Sequence, residues 1–467
     1  MNFSFDQLSK PILKAIRDIG YKEPTNIQAS AIPTLLSSQG DFVGQAQTGT
    51  GKTAAFCLPL LEKIDVNKKC VQAIILTPTR ELANQINQQV IKFSKYLTVK
   101  SATVYGGVSY KEQISNLNSA HLIIATPGRA IDLINKRKLN LKNVEYFIID
   151  EADEMLEMGF IEDVEYILSK LSPLAKKWMF SATMPKPIIR LMESKLKSPD
   201  LVRLKHDSLS KENIDQSVVL LPKKEFFKAL RAIIFSETDM YGIIFCETRE
   251  ETKRLTTKIV DLGKTAVALH GDLNQAQRDT AMEQFKSRAV SILVCTDVAS
   301  RGIDVSDVTH VVNIGLPRKS ESYIHRIGRT GRAGKLGKAI SFVTPNERNR
   351  LLNIERLTKQ KIEKYRFPKP SESKKIKVIN ELNKMEAIRK AVTNKREKFD
   401  IDENFEEFDT KFEELSKKET LQVIYTHLFN KDFRKIDESL KTICEIKPDR
   451  DKKYHNNKIN KRRRVRK

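Results

Sequence analysis

Ala46-Gln47-Thr48-Gly49-Thr50-Gly51-Lys52-Thr53 follows an apolar strand candidate, Asp41–Gln45, and runs directly into the apolar stretch Ala54-Ala55-Phe56-Cys57-Leu58. A strand, a glycine-rich turn and a helix in that order present backbone N–H groups at a helix N-terminus, where phosphate oxygens bind. Gln47, Thr48, Gly49, Thr50 and Gly51 then form the cradle, Lys52 reaches the β- and γ-phosphates of a nucleotide, and Thr53 ligates Mg²⁺. Ala46 stands where the usual pattern begins with glycine. Gly-Lys-Thr alone recurs by chance; the flanking strand and helix are what make the reading specific.

Outward from this loop, short runs rich in Ile, Val and Phe alternate with longer amphipathic stretches as far as Phe367. Strand candidates in the first half are Asp41–Gln45, Ala73–Thr77, Ser101–Tyr105, Leu122–Ala125, Tyr146–Ile149 and Trp178–Ser181. The rhythm repeats at Gly242–Cys246, Thr265–Leu269, Ser291–Cys295, His310–Ile314 and Ala339–Val343. Such alternation predicts an α/β fold with two tandem parallel sheets, each covered by helices on both faces. We place the first domain at 1–207 and the second at 213–367, with the polar stretch His206–Asn213 as linker and Phe367-Pro368-Lys369-Pro370-Ser371 as the point where alternation stops.

Asp150-Glu151-Ala152-Asp153 follows the strand candidate Tyr146–Ile149, at the strand end where α/β sheets bind ligands. Asp150 there can hold Mg²⁺ through water, and Glu151 can orient and deprotonate an attacking water. Acidic residues at a helix start are common on solvated surfaces. Their pairing with a phosphate loop argues for chemistry.

With these two motifs, the chain from about Phe3 to about Phe367 resembles the DEAD-box RNA helicases. Gly20-Tyr21-Lys22-Glu23-Pro24-Thr25-Asn26-Ile27-Gln28 is similar to the family's adenine-reading motif, in which Gln28 would select ATP over GTP. An upstream aromatic stacks on the base in that motif; Phe5 and Phe3 are both candidates. Pro78-Thr79-Arg80-Glu81-Leu82-Ala83, Gly106-Gly107 and Thr126-Pro127-Gly128-Arg129 resemble RNA-backbone contacts of the first domain, which assigns RNA to Pro78, Thr79, Arg80, Gly107, Thr126, Gly128 and Arg129. Ser181-Ala182-Thr183 looks like the motif that couples hydrolysis to unwinding, with Asp153 joined to it. In the second half, Phe245 to Arg249, His270-Gly271-Asp272, Gln275-x-x-Arg278 and Thr296 to Asp304 match in order, which implies RNA contacts from Arg249, Gln275, Arg278 and Thr296 and a ribose contact from Asp304. His325-Arg326-Ile327-Gly328-Arg329-Thr330-Gly331-Arg332 implies arginine fingers at Arg329 and Arg332, with His325 linked to the acid motif. By resemblance the fold is two RecA-like domains whose full site forms only when they close on ATP and RNA, and the 2′-OH distinguishes RNA from DNA.

Beyond Pro370 the pattern turns helical. Ile401, Phe405, Phe408, Phe412 and Leu415 recur at heptad-like spacings. The stretches Asn346–Arg356 and Asp150–Glu165 resemble the bacterial cold-shock (DeaD) type, in which a helical dimerisation domain follows the motor, and this places a small all-helical domain at 371–445. Homodimerisation and an intramolecular three-helix bundle both fit the phenylalanine seam. Too few residues follow for that type's RNA-binding domain; a basic tail, 446–467, is what remains.

The formal charge of +24 calls for a polyanionic partner. From Pro448 to Lys467 there are ten Lys/Arg against two Asp, so the body of the chain is basic as well. The five cysteines form no metal-binding or disulfide spacing. Met1 to Asp6 lacks the basic and apolar regions of a signal peptide, and no apolar run is long enough to span a bilayer. The expectation is a cytoplasmic ATP-dependent RNA helicase acting on RNA with little sequence preference, without a membrane, and with roles in ribosome biogenesis, mRNA decay or translation under cold stress. Ribosomal precursors and degradosome proteins are the further partners implied. An ATP-gated RNA clamp with little turnover is the alternative, and a DNA helicase fits the ordered motifs less well.

Overall fold

Strands buried on both faces read as continuous apolar runs, and the central strands here do so: Ala73-Ile74-Ile75-Leu76 and Leu122-Ile123-Ile124-Ala125 are buried throughout. The structure is a computed structural model that describes residues 3–38, 40–46, 49–204, 213–237, 239–300, 305, 308–331, 335–393 and 415–444. The expected linker lies outside the described residues except for Asn213, and so does the tail 446–467.

The first half opens with α1 (Lys10–Asp18) and α2 (Asn26–Ser37). It continues through β1 (Phe42–Gln45), α3 (Lys52–Lys63), β2 (Ala73–Leu76), α4 (Arg80–Phe93), β3 (Ser101–Val104), α5 (Tyr110–Leu117) and β4 (Leu122–Ala125). Next come α6 (Pro127–Asn135), β5 (Tyr146–Ile149), α7 (Ala152–Glu157), α8 (Ile161–Ser169), β6 (Lys176–Ser181), α9 (Lys186–Lys195) and β7 (Asp200–Arg203). The seven strands are parallel in the order β3-β4-β2-β5-β6-β1-β7. Alternate residues serve opposite faces: Phe42, Ile75 and Ile148 join one core, and Val43, Ile74 and Phe147 the other.

The second half contains β8 (Ile214–Leu220), α10 (Phe226–Ser236), β9 (Gly242–Cys246), α11 (Arg249–Asp261), β10 (Ala266–Leu269), α12 (Gln275–Lys286) and β11 (Ile292–Thr296). It ends with α13 (Asp297–Ser300), β12 (His310–Ile314), α14 (Ser320–Ile327), β13 (Gly337–Val343), α15 (Arg348–Thr358) and β14 (Glu363–Lys364). Its sheet order, β10-β11-β9-β12-β13-β8-β14, repeats that of the first sheet strand for strand. The two halves therefore share one parallel topology, and in both the loops leaving the strand C-termini form the ligand edge.

Three strands escape the sequence pattern. β7 is an exposed edge strand, β14 has two residues, and β8 carries polar Asp215, Gln216 and Ser217 before its apolar end. Beyond the second sheet lie α16 (Pro370–Thr393) and α17 (Lys417–Cys444). Ile436 and Leu440 of α17 bury against Ala232 and Phe235 of α10. Of the phenylalanine seam, Ile401, Phe405, Phe408 and Phe412 lie outside the described residues, and Leu415 is exposed. Among the described residues, no helix is long and apolar enough to cross a membrane.

Candidate functional site

The phosphate loop leaves β1, which sits between β6 and β7 where the strand order changes direction. Gly51 caps α3 with φ 94°, and a Cβ there would overlap the Gln28 amide. Gln28 is itself buried. Its Nε2 donates to the Gly51 carbonyl at 3.1 Å, and its Oε1 accepts from the Thr25 backbone N–H at 3.0 Å. Thr25 Oγ1 donates to the Thr50 carbonyl at 2.7 Å. The start of α2 is thus buckled to the loop, whose Gln47 and Thr48 lie outside the described residues.

Lys52 Nζ is buried and has no hydrogen-bond partner among the described residues, an ammonium placed for an anion. Opposite it, at the end of β5, Asp150, Glu151, Asp153 and Glu154 are all buried. Burial pushes the Asp150 carboxyl up to about 7, with Glu151 adding repulsion and Lys52 acting against it. Burial likewise raises Glu151, although Lys52 and Arg329 oppose the shift. Glu151 has φ 52°, a left-handed backbone that is strained for a non-glycine residue and is found at functional sites. Buried carboxylates beside an unpartnered ammonium fit a site that takes a triphosphate and a divalent cation.

Asp153 ties the acid turn to β6. Its Oδ2 accepts from the Thr183 N–H at 2.7 Å and the Thr183 hydroxyl at 2.8 Å, and its own N–H donates to Ser181 Oγ at 3.2 Å. Burial acts to raise Asp153, but His325, Lys52 and these hydrogen bonds outweigh it and hold the carboxyl low.

The second sheet faces this cluster. His325 on α14 bonds Glu154 through Nδ1, and its Nε2 lies 3.7 Å from Asp153 Oδ2. Ser322, one turn earlier, donates to Glu157 at 3.2 Å. Arg278 of α12 clasps Glu81 of α4 through Nε at 3.0 Å and Nη2 at 2.6 Å, and Arg80 donates to Gln275 at 3.1 Å. A cavity of about 1040 Å³ opens between the halves, lined by Gly49, Gly51, Lys52, Thr53, Asp150 and Glu151 from one side and Gln275 and Arg329 from the other. Arg332 and Asp304 lie outside the described residues.

Phe3 and Phe5 both sit in the first core, ring to ring, and Phe5 leans on Tyr21. Of these three aromatics, Tyr21 is the one that lines the cavity, a position sequence reading gave no role.

Residues expected to face RNA cluster on the strand-end edge of each sheet. Pro78 and Thr79 lead from β2 into α4, and Thr79 caps that helix by accepting from Leu82 N–H at 3.2 Å. Thr126 and Gly128 open α6 after β4. Gly107, at φ 87°, lets the Arg80 guanidinium lie against the backbone where any Cβ would collide. Arg129 donates to the Val108 carbonyl and to Gln113, and its guanidinium stacks 4.1 Å from the Tyr110 ring. In the second half, Arg249 starts α11 and pairs with Asp272 at 2.5 Å, and Thr296 ends β11. Gln275 and Arg278 are engaged with Arg80 and Glu81, a bridge between the halves that the motifs alone did not assign. Glu81 and Glu154, like Tyr21, are residues that sequence reading left without a role, although Glu81 lies inside a quoted motif and Glu154 directly follows one.

Compared with known proteins, residues 25–191 match the DEAD/DEAH box helicase family, and residues 225–334 match the helicase conserved C-terminal domain. The chain is 44% identical over 362 residues to the DEAD-box ATP-dependent RNA helicase CshA of Bacillus cereus, across 77% of this chain and 69% of that protein. It is 46% identical over 367 residues to a protein of Methanocaldococcus jannaschii named a probable ATP-dependent RNA helicase, across 79% of this chain and 98% of that one. Among solved structures, S. cerevisiae Dbp5 bound to RNA and ADP BeF3 superposes with a TM-score of 0.71 at 31% identity, over 77% of this chain and 95% of that one. The DEAD-box helicase Mss116 bound to ssRNA and UDP-BeF gives the same TM-score, 0.71, at 29% identity, over 84% of this chain and 87% of that one.

Proposed function

This chain belongs to the DEAD-box family of ATP-dependent RNA helicases, and from that premise we propose that it separates short RNA duplexes by closing its two halves over ATP and one RNA strand. The observation that carries the reading is the cavity shared by Lys52 and Glu151 of one half and Arg329 of the other. Lys52 holds the β- and γ-phosphates of ATP. Glu151, kept basic enough by burial, takes the proton of the attacking water, and Arg329 stabilises the charge that develops on the transferred phosphoryl group. Thr53 and, through water, Asp150 would hold Mg²⁺, which neutralises phosphate charge when bound. Asp153 passes the state of the acid turn to Ser181 and Thr183 on one side and to His325 on the other.

RNA lies along the strand-end edge, where Thr79, Arg80, Gly107, Thr126 and Arg129 of one half and Arg249 and Thr296 of the other meet phosphate and sugar. Contacts of that kind carry little sequence information, so the substrate is RNA of any sequence. The exposed apolar residues Ile376, Ile379, Leu382 and Met385 on α16 support a homodimer formed through 371–445. We propose a cytoplasmic role in cold-stress RNA remodelling, with ribosomal precursors or degradosome proteins as partners, on the resemblance of Asn346–Arg356 and Asp150–Glu165 to the bacterial cold-shock type. Strand displacement from a labelled RNA duplex tests the function. A short duplex should open with ATP, and a duplex several turns long should not. A chain that hydrolyses ATP but releases no strand from short duplexes is a clamp instead.

A further inference from the structure

α10 and α11 lie side by side on one face of the second sheet, and α17 covers only their far ends. There Phe433, Ile436 and Leu440 meet Ala232, Phe235 and Leu262. Arg231 pairs with Glu438 at 3.0 Å, and Lys435 Nζ donates to the Leu262 carbonyl at 2.9 Å. Toward the strand-end edge the same two helices diverge into a groove of about 240 Å³ that α17 leaves open. Phe226 and Leu230 floor it, and Lys223, Lys224, Arg254 and Lys258 rim it. Glu251 is the one acid among its lining residues, and Lys223 lies 3.5 Å from it. Lys258 Nζ sits 4.8 Å over the Phe227 ring, and the lysines of the rim and Arg254 are exposed.

We propose that this groove docks an acidic segment of a partner polypeptide through one aromatic or large aliphatic anchor. Its volume falls below the roughly 300–1,000 Å³ of small-molecule pockets, so it takes a side chain rather than a cofactor. A nucleic-acid backbone would use the four cations but gain nothing from the apolar floor. The adjoining turns show what this face accepts, because there a polypeptide already presents apolar side chains together with a carboxylate to Arg231. The open end offers the same combination with more positive charge, and a partner with several carboxylates beside its anchor matches it.

The test uses the full chain and a short fluorescent peptide of Asp and Glu flanking a single Phe, read by anisotropy. An otherwise identical peptide with Ala replacing Phe and the Arg254→Glu, Lys258→Glu double variant are the comparisons. RNA-stimulated ATP hydrolysis without peptide should be unchanged in the variant, which shows that the fold and motor are intact. The wild-type chain should bind the Phe peptide, and either change should weaken binding roughly tenfold or more. Absence of binding, or equal affinity for variant and wild type, would overturn the proposal. So would a single-stranded RNA whose affinity falls in the variant while that of the peptide holds, because the groove would then be a phosphate track.

Discussion

His325 of the second half places one imidazole between two carboxylates of the first: Nδ1 is bonded to Glu154, and Nε2 lies 3.7 Å from Asp153 Oδ2. Burial alone would favour the neutral ring, but the bond to Glu154 and the charges of Asp153 and Glu151 outweigh it and raise His325 to about 9. With the halves apart and the ring in water, the pKa should return to about 6.5. The raised value belongs to the closed form. Its stabilisation is therefore fully present below about 6.5 and is lost as pH rises through about 9. The RNA concentration for half-maximal ATPase stimulation should climb across that window. Glu154→Gln should move the climb to lower pH, and an unchanged profile would mean that the imidazole does not gate closure.

Arg278 and Glu81 form the second clasp between the halves, with side chains 16% and 20% exposed. Either Arg278→Glu or Glu81→Arg should reduce RNA-stimulated turnover, and the double exchange should restore part of it. A coupling of about 1–2 kcal/mol is expected for a partly buried charged pair in contact. Strictly additive losses would show that the two residues act separately.

Gln28 bonds the Gly51 carbonyl and also lies where the family resemblance puts adenine recognition. Gln28→Ala should weaken ATP binding and destabilise the fold by about 1–3 kcal/mol, because buried backbone groups lose their partner. Selectivity is the sharper readout. ATP should support RNA-stimulated turnover and GTP should not, and equal rates would remove the adenine-reading role.

Much of this was legible in the sequence. The strands that became β1 to β6 and β9 to β13 were expected within a residue or two, because strands buried on both faces leave unmistakable apolar runs. β7, β8 and β14 were not, being exposed, half polar or very short. The phosphate loop and acid turn were legible because each is local, one turn at one strand end. The clasps were not. Glu81 and Arg278 are 197 positions apart, and nothing in one stretch announces a partner in the other. The Gln28–Gly51 bond was hidden for the same reason, although both residues had been singled out.

Ile379 and Leu382 are exposed on α16 despite their size. If that face joins two copies, light scattering should give a dimer for the full chain. Ile379→Glu with Leu382→Glu should yield a monomer that keeps its ATPase activity, because these residues are remote from the catalytic cluster. A monomeric wild-type chain would show that this face of α16 does not join two copies.

Glu151→Gln keeps the shape and removes the base, so ATP and RNA should stay bound while turnover falls by about 10²-fold or more. Wild-type rates in this variant would take the base assignment away from Glu151.

In the proposed mechanism the site is completed only when RNA draws the two halves together. Steady-state ATP hydrolysis by the full chain, measured without nucleic acid, with single-stranded RNA and with DNA of the same sequence, tests it most directly. Hydrolysis should be slow without nucleic acid, rise strongly with RNA and change little with DNA. Equal rates under all three conditions would contradict it, because Lys52, Glu151 and Arg329 would then be assembled without RNA.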